Sequence, residues 1–321
     1  MADADRRLDR ERWRGASLAD RHAAFKAVYL GHPQSVRILK NLDIRLRMQG
    51  LSDESTGIVI RCPSDGGKSA FVRFLKRRFP PVEKEDRTLY PCIGFSAPIP
   101  CNALGIANAI LKEFHDPDAD GMYAARQISR ARTLCWEAQT RIIAVDNFQD
   151  VPERRGVKGV QIVGNVLRDV IDCNLIAVLL GTDEGDIVVR SNEQLRRRSP
   201  ASLPLGYYDI TTKEGLSICL RLVDHFEEIC PLAVRSNLAY TWIGKAIVFG
   251  SNGKVGAMSK LFSWGLTACV DAGLEQLQLE HFRYAFNEYF AGFEDYNPFV
   301  EAPRKWRRLD QPGEPFFLVK A

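Results

Sequence analysis

Cys62-Pro63-Ser64-Asp65-Gly66-Gly67-Lys68-Ser69 joins a glycine pair to a Lys-Ser pair, between an apolar run and a stretch with helical spacing. A phosphate group is held by that combination. Backbone N–H groups at a helix N-terminus surround the β-phosphate, the lysine ammonium reaches the β- and γ-phosphates, and the serine hydroxyl ligates Mg²⁺. The motif predicts a site for ATP and Mg²⁺, with Ser64, Asp65, Gly66, Gly67, Lys68 and Ser69 around the nucleotide and Ser69 on the metal. Loops of this kind usually begin with Gly, so Cys62 predicts a slightly reshaped loop. The competing interpretation is a Gly-Gly turn between a strand and a basic helix.

A carboxylate on the metal side should accompany such a loop. The apolar run Ile142-Ile143-Ala144-Val145 ends in Asp146, which places an acid beside Mg²⁺ at the C-terminal edge of a strand. The following residue is Asn147, where ATPases of this architecture usually have Glu. An amide orients a water but cannot take its proton, and general-base assistance is worth roughly 10²–10⁴ in rate. Slow ATP hydrolysis is expected unless Asp150 or Glu153 substitutes. Thr182 follows another apolar run and offers a hydroxyl beside the γ-phosphate. Further on, Gln194-Leu195-Arg196-Arg197-Arg198 is either a solvated basic face or brings Arg198 to a neighbouring subunit's nucleotide as an arginine finger.

These residues need a scaffold. Five short apolar runs read as buried strands: residues 57–61, 90–96, 141–146, 175–181 and 202–205. Between them, Phe71, Phe74 and Leu75, then Ile106, Ile110, Leu111 and Phe114, and finally Val163, Val166, Leu167, Val170 and Ile171 recur at helical spacing. Continuously apolar strands, each followed by a helix, predict an α/β fold with a parallel sheet covered on both faces. From Thr211 the pattern is helical only. Thr211-Thr212-Lys213-Glu214 offers an N-cap for a helix reaching about residue 229, and three more helices follow near 235–249, 254–272 and 279–291. The expected organisation is a basic helical arm over 1–50, an α/β core over 51–210, an all-α lid over 211–296 and an extended tail over 297–321.

Composition narrows the alternatives. With 321 residues, 45% hydrophobic and 26% charged, the chain is neither disordered nor fibrous. No apolar run approaches the roughly 20 residues that cross a bilayer, and the N-terminus does not read as a signal peptide, so a cytoplasmic protein with no membrane partner is expected. Eight cysteines without a C-x-x-C pair argue against a zinc site or a disulfide framework. The net charge of +4 is concentrated at one end, since residues 1–50 alone carry +5. A polyanion partner is compatible with that distribution without being required by it.

In their order, these motifs resemble an AAA+ ATPase, and more narrowly the TniB/TnsC family of transposition regulators. The resemblance runs over residues 18–290. It includes Gly31-His32-Pro33-Gln34-Ser35 before a second helix, the Cys62 to Ser69 loop, the strand ending in Asp146, Gly181-Thr182, Ser191-Asn192-Glu193-Gln194-Leu195 leading to Arg198, and Gly253-Lys254-Val255-Gly256 in the lid. It implies a P-loop AAA+ core followed by a small all-α lid, with His32 and Pro33 near the adenine, Thr182 as γ-phosphate sensor, Arg198 as the finger in trans and Lys254 as a lid contact. It also implies an ATP-dependent regulator that assembles as a ring or filament on double-stranded DNA and connects a TniQ-type target selector to a DDE transposase. DNA inside such a ring would meet loops containing Asn102, Arg154, Arg155 and Lys158, through sequence-nonspecific phosphate contacts. The cations near Trp306 read either as solvated surface or as a docking segment. Two other expectations stand beside this one: a nucleotide-binding scaffold with little hydrolysis, and a loader or signalling ATPase with the same core.

Overall fold

The computed structural model describes residues 10–51, 57–99, 102–148, 175–183, 201–302 and 305–317. It parts into two compact units, Pro33–Leu205 and Met1–His32 together with Gly206–Ala321. The first 50 residues are therefore divided: helix α1 (Leu18–Ala27) lies in the second unit and helix α2 (Pro33–Met48) in the first.

The first unit continues through β1 (Ile58–Arg61), α3 (Lys68–Arg78), a small hairpin of β2 (Val82–Glu83) and β3 (Thr88–Leu89), β4 (Cys92–Ser96), α4 (Ala103–Glu113) and α5 (Ala124–Glu137). It ends with β5 (Ile142–Asp146), β6 (Ile176–Gly181) and β7 (Ala201–Pro204). Five strands form one parallel sheet in the order β4-β5-β6-β1-β7. The expected parallel sheet is observed. β5 and β6 are buried at every position, as strands covered on both faces must be. Ile106, Ile110 and Leu111 of α4 pack with Ile93, Ile143 and Val145 in a single apolar cluster. Each such side chain contributes about 1.5–3 kcal/mol on burial.

Two elements go beyond the sequence expectation. Helix α5 buries Gln127, Ala131 and Cys135, none of them a large apolar residue, with Ile128 and Leu134 packed partly buried beside them. The β2–β3 hairpin has two two-residue strands, one exposed and one half-buried, too short to show an alternating pattern. The helix expected around residues 163–171 lies outside the described residues.

The second unit is helical: α6 (Lys213–Ile229), a 3-10 turn (Leu238–Tyr240), α7 (Trp242–Gly250), α8 (Val255–Asp271) and α9 (Leu279–Tyr289). Thr212 caps α6 by accepting from Gly215 N–H at 3.0 Å. Phe226, Phe262, Phe282, Phe286 and Phe299 fill its core. α1 joins that core through Phe25, and buried Arg21 binds both carboxylate oxygens of Glu275, at 2.9 and 2.6 Å. The tail is irregular but packed. The Trp306 ring stacks on Phe249 with centroids 5.3 Å apart, and Phe316 meets Phe290 edge-on at 5.1 Å. Trp306, expected as an exposed docking aromatic, is half-buried in this arrangement. The six described cysteines are buried and free.

Candidate functional site

β1 delivers the chain to the Cys62–Ser69 loop. Arg61 is in register with Gly181 of β6 and Pro204 of β7, and Cys62 N–H donates to Gly181 O at 2.7 Å, extending the pairing by one residue. A turn closes from Gly66 N–H to Pro63 O at 3.0 Å. The backbone is left-handed at Asp65 (φ 61°) and at Gly67 (φ 101°), and α3 begins immediately afterwards. The N–H groups of a first helical turn have no acceptor within the helix, which suits them to an anion.

Cys62 itself does not take positive φ, so the freedom a glycine would bring there is not used. Its thiol instead fills the space beneath Gly66. A Cβ at residue 66 would stand 2.5 Å from Cys62 Sγ and 3.0 Å from Pro63 O. The reshaping expected from Cys62 thus takes the form of an exchange of bulk between positions 62 and 66.

Lys68 is buried, and its ammonium donates to Cys62 O at 3.0 Å and Pro63 O at 3.2 Å, curling over the loop. Ser69 Oγ donates to Asp146 Oδ2 at 2.5 Å, although 77 residues separate them. The pairing follows from topology. Asp146 ends β5, the loop follows β1, and only β6 lies between those two strands. A hydroxyl and a carboxylate side by side, both hard oxygen donors, fit Mg²⁺, and the lysine with the helix N-terminus fits the phosphates of ATP. Thr182 follows β6 directly and so stands at the same sheet edge, between the loop and Asp146.

Asn147 has a role in backbone geometry. It is left-handed at φ 54°, a conformation Asn tolerates better than most residues, and its N–H donates to Asp146 Oδ1 at 2.9 Å. Asp146 is thereby held through both oxygens, one by Ser69 and one by the backbone.

His32 and Lys254 belong to the helical unit. His32 is buried, shares a 2.7 Å hydrogen bond between Nδ1 and Tyr208 Oη, and has its pKa pushed down to about 4 by burial. Tyr208 carries no sequence signal that would have marked it. Pro33 opens α2 in the other unit. Lys254 is buried at the N-cap of α8, with its ammonium 4.7 Å from the Phe316 ring centre. As a lid contact it would therefore act from beneath the tail. Asn102 caps α4, its side-chain oxygen accepting from Gly105 N–H at 2.7 Å. Arg154, Arg155, Lys158 and Arg198, with Asp150 and Glu153, lie outside the described residues.

The neutral His32 makes a pH prediction. The unfolded chain takes up a proton near the ordinary histidine pKa of 6.5, whereas the folded chain resists until about pH 4, so stability falls as pH drops through that window. Between about pH 7.5 and 5.5 the loss from this group should be about 1 kcal/mol. Urea unfolding at both pH values checks this, and His32→Gln should flatten that part of the dependence.

The profile of a family described as Bacterial TniB protein matches residues 23–205. No curated protein matches the sequence. Among solved structures, the ORC2 protein of Aeropyrum pernix in its ADPNP–ADP complexes is similar with a TM-score of 0.57 and 13% identity, over 84% of this chain and 71% of that one. Cdc6p of Pyrobaculum aerophilum gives 0.57 and 14% over 83% and 70%, and the A. pernix ORC1 protein in complex with DNA gives 0.54 and 14% over 81% and 66%. At these identities the likeness is one of fold, that of AAA+ ATPases.

Proposed function

Because this chain belongs to the TniB family, we propose that it is an ATP-dependent, DNA-binding regulator of transposition. In this proposal it binds ATP with Mg²⁺, assembles with further copies on double-stranded DNA and links a TniQ-type target selector to a DDE transposase. The observation that carries the nucleotide part is the contact between Ser69 and Asp146 beside the Lys68 loop. The names of the similar structures lend support, since one is a complex with ADPNP and ADP and another a complex with DNA.

Each residue has a separate task. Lys68 leaves its loop carbonyls for the phosphates, exchanging neutral acceptors for charged ones. The first-turn N–H groups of α3 orient the same phosphates, and Ser69 and Asp146 hold the metal side of the site. Bound Mg²⁺ would neutralise charge on the β- and γ-phosphates. Asn147 keeps Asp146 in place through its N–H and supplies no proton acceptor, so turnover is slow. ATP-dependent retention of duplex DNA on filters at low salt, lost in Lys68→Ala, tests the proposal. DNA retention that is indifferent to ATP would overturn it.

Asn147 also favours a second reading, a nucleotide-gated scaffold with almost no hydrolysis. Phosphate release in the presence of DNA separates the two. A wild-type rate equal to that of Lys68→Ala leaves only the scaffold.

A further inference from the structure

At the opposite end of the sheet from the loop, helices α4 and α5 both terminate beside a groove of about 530 Å³. Tyr90 and Ala138, which line it, come just before β4 and β5, whereas the loop and Asp146 follow the other ends of their strands. Each helix closes with a left-handed residue, His115 (φ 56°) after α4 and Gln139 (φ 52°) after α5. In both cases the next N–H turns back to a helix carbonyl: Asp116 to Leu111 O at 3.1 Å and Thr140 to Cys135 O at 2.9 Å. Two helix C-termini therefore meet at one groove, and each carries partial negative charge.

The floor is aromatic. The Tyr90 and Phe114 rings pack edge-to-face with centroids 5.4 Å apart, beside Leu134, and all three are half-buried. Asp86, Asp116 and Glu137 bring three carboxylates to the groove, and Arg87 and Arg130 bring two guanidiniums. Asp116 is held by Arg130 at 2.7 Å and Asp86 by Arg87 at 3.2 Å, whereas Glu137 makes no ion pair among the described residues. Next to Glu137 on α5 stands Trp136, 75% exposed although it is a large aromatic.

We infer that this groove docks an arginine side chain presented by a partner protein. A planar guanidinium is suited to both surfaces at once: it stacks on an aromatic ring and takes both oxygens of a carboxylate. Two helix C-termini add attraction for a cation and would repel a nucleic-acid phosphate, so the groove serves a protein and not DNA. The inference goes beyond the nucleotide-dependent activity and does not depend on it.

Amide NMR spectra of the isotope-labelled full chain, titrated with acetyl-Ala-Arg-Ala-amide, test it. Saturable shifts are expected around residues 86–90, 114–117 and 134–139, with none from acetyl-Ala-Glu-Ala-amide. Glu137→Arg and Tyr90→Ala should each weaken the arginine peptide about tenfold, with the thermal midpoint of each variant serving to verify folding. No saturable shift, equal shifts from the glutamate peptide, or undiminished binding in a folded Glu137→Arg protein would overturn the inference. Signals in this region that move with protein concentration alone would also overturn it, making the occupant a second copy of the chain.

Discussion

Gly66→Ala is expected to lower nucleotide affinity by roughly ten- to a hundredfold, and Cys62→Gly introduced beside it should recover part of the loss. The new methyl group would stand 2.5 Å from Cys62 Sγ, closer than a Cβ approaches in folded proteins, and 3.0 Å from Pro63 O, a tight contact. Relieving such overpacking shifts the backbone at a cost of about 1–3 kcal/mol, here in the loop whose N–H groups must converge on phosphate. Removing the thiol vacates the nearest obstruction and leaves Pro63 O and Pro63 Cδ, so rescue should be partial. Gly67→Ala is the control. Nothing lies near its added methyl group, and its strain comes only from φ 101°, so Cys62→Gly should not help it. Titration calorimetry with a non-hydrolysable ATP analogue across these variants is the measurement. Equal affinity of Gly66→Ala and wild type would remove the Cys62–Gly66 packing from the account.

Asn147→Glu should not produce the roughly 10²–10⁴-fold faster turnover that adding a general base would bring in an otherwise competent site. Residue 147 is left-handed, and a Glu held there costs about 1 kcal/mol or more. If Glu instead relaxed to negative φ, the N–H that now binds Asp146 Oδ1 would turn away, and Asp146 would keep only its Ser69 partner. Either outcome offsets the added base. Asn147→Val should be the most damaging change, because a β-branched residue is poorly tolerated at positive φ, whereas Asn147→Gly removes the side chain yet permits the conformation. Phosphate release with DNA present, with a thermal midpoint for each variant, checks the series. A hundredfold rise in Asn147→Glu would show that residue 147 accepts Glu without disturbing Asp146.

Much of the site was legible along the chain. The glycine pair followed by Lys68-Ser69 marks a candidate phosphate loop because its chemistry is local, with donors, lysine and hydroxyl all within a few residues. Asp146 was legible because the run before it is apolar at every position, as a strand buried on both faces must be. Thr212 marked the start of α6 for a similar reason, since an N-cap needs only its own side chain and the turn that follows. Helix α5 escaped because Gln127, Ala131 and Cys135 make a buried face without a large apolar residue. The tail read as extended because of its prolines, and the burial of Phe299, Trp306 and Phe316 depends on a surface formed by other helices.

Taken alone, the sequence determined which residues could do chemistry, the class of strands and helices, and the expectation of a parallel sheet. Those properties repeat over two to four residues and are set by local backbone and side-chain preferences. Only the tertiary structure decided that β6 lies between β1 and β5 and so brings Ser69 within 2.5 Å of Asp146. It also decided that Cys62 occupies the space Gly66 leaves, that Asn147 serves through its N–H, and that α4 and α5 end at one groove. Each of these depends on strand order, on packing between elements, or on a backbone angle imposed by distant partners, and no local periodicity records them.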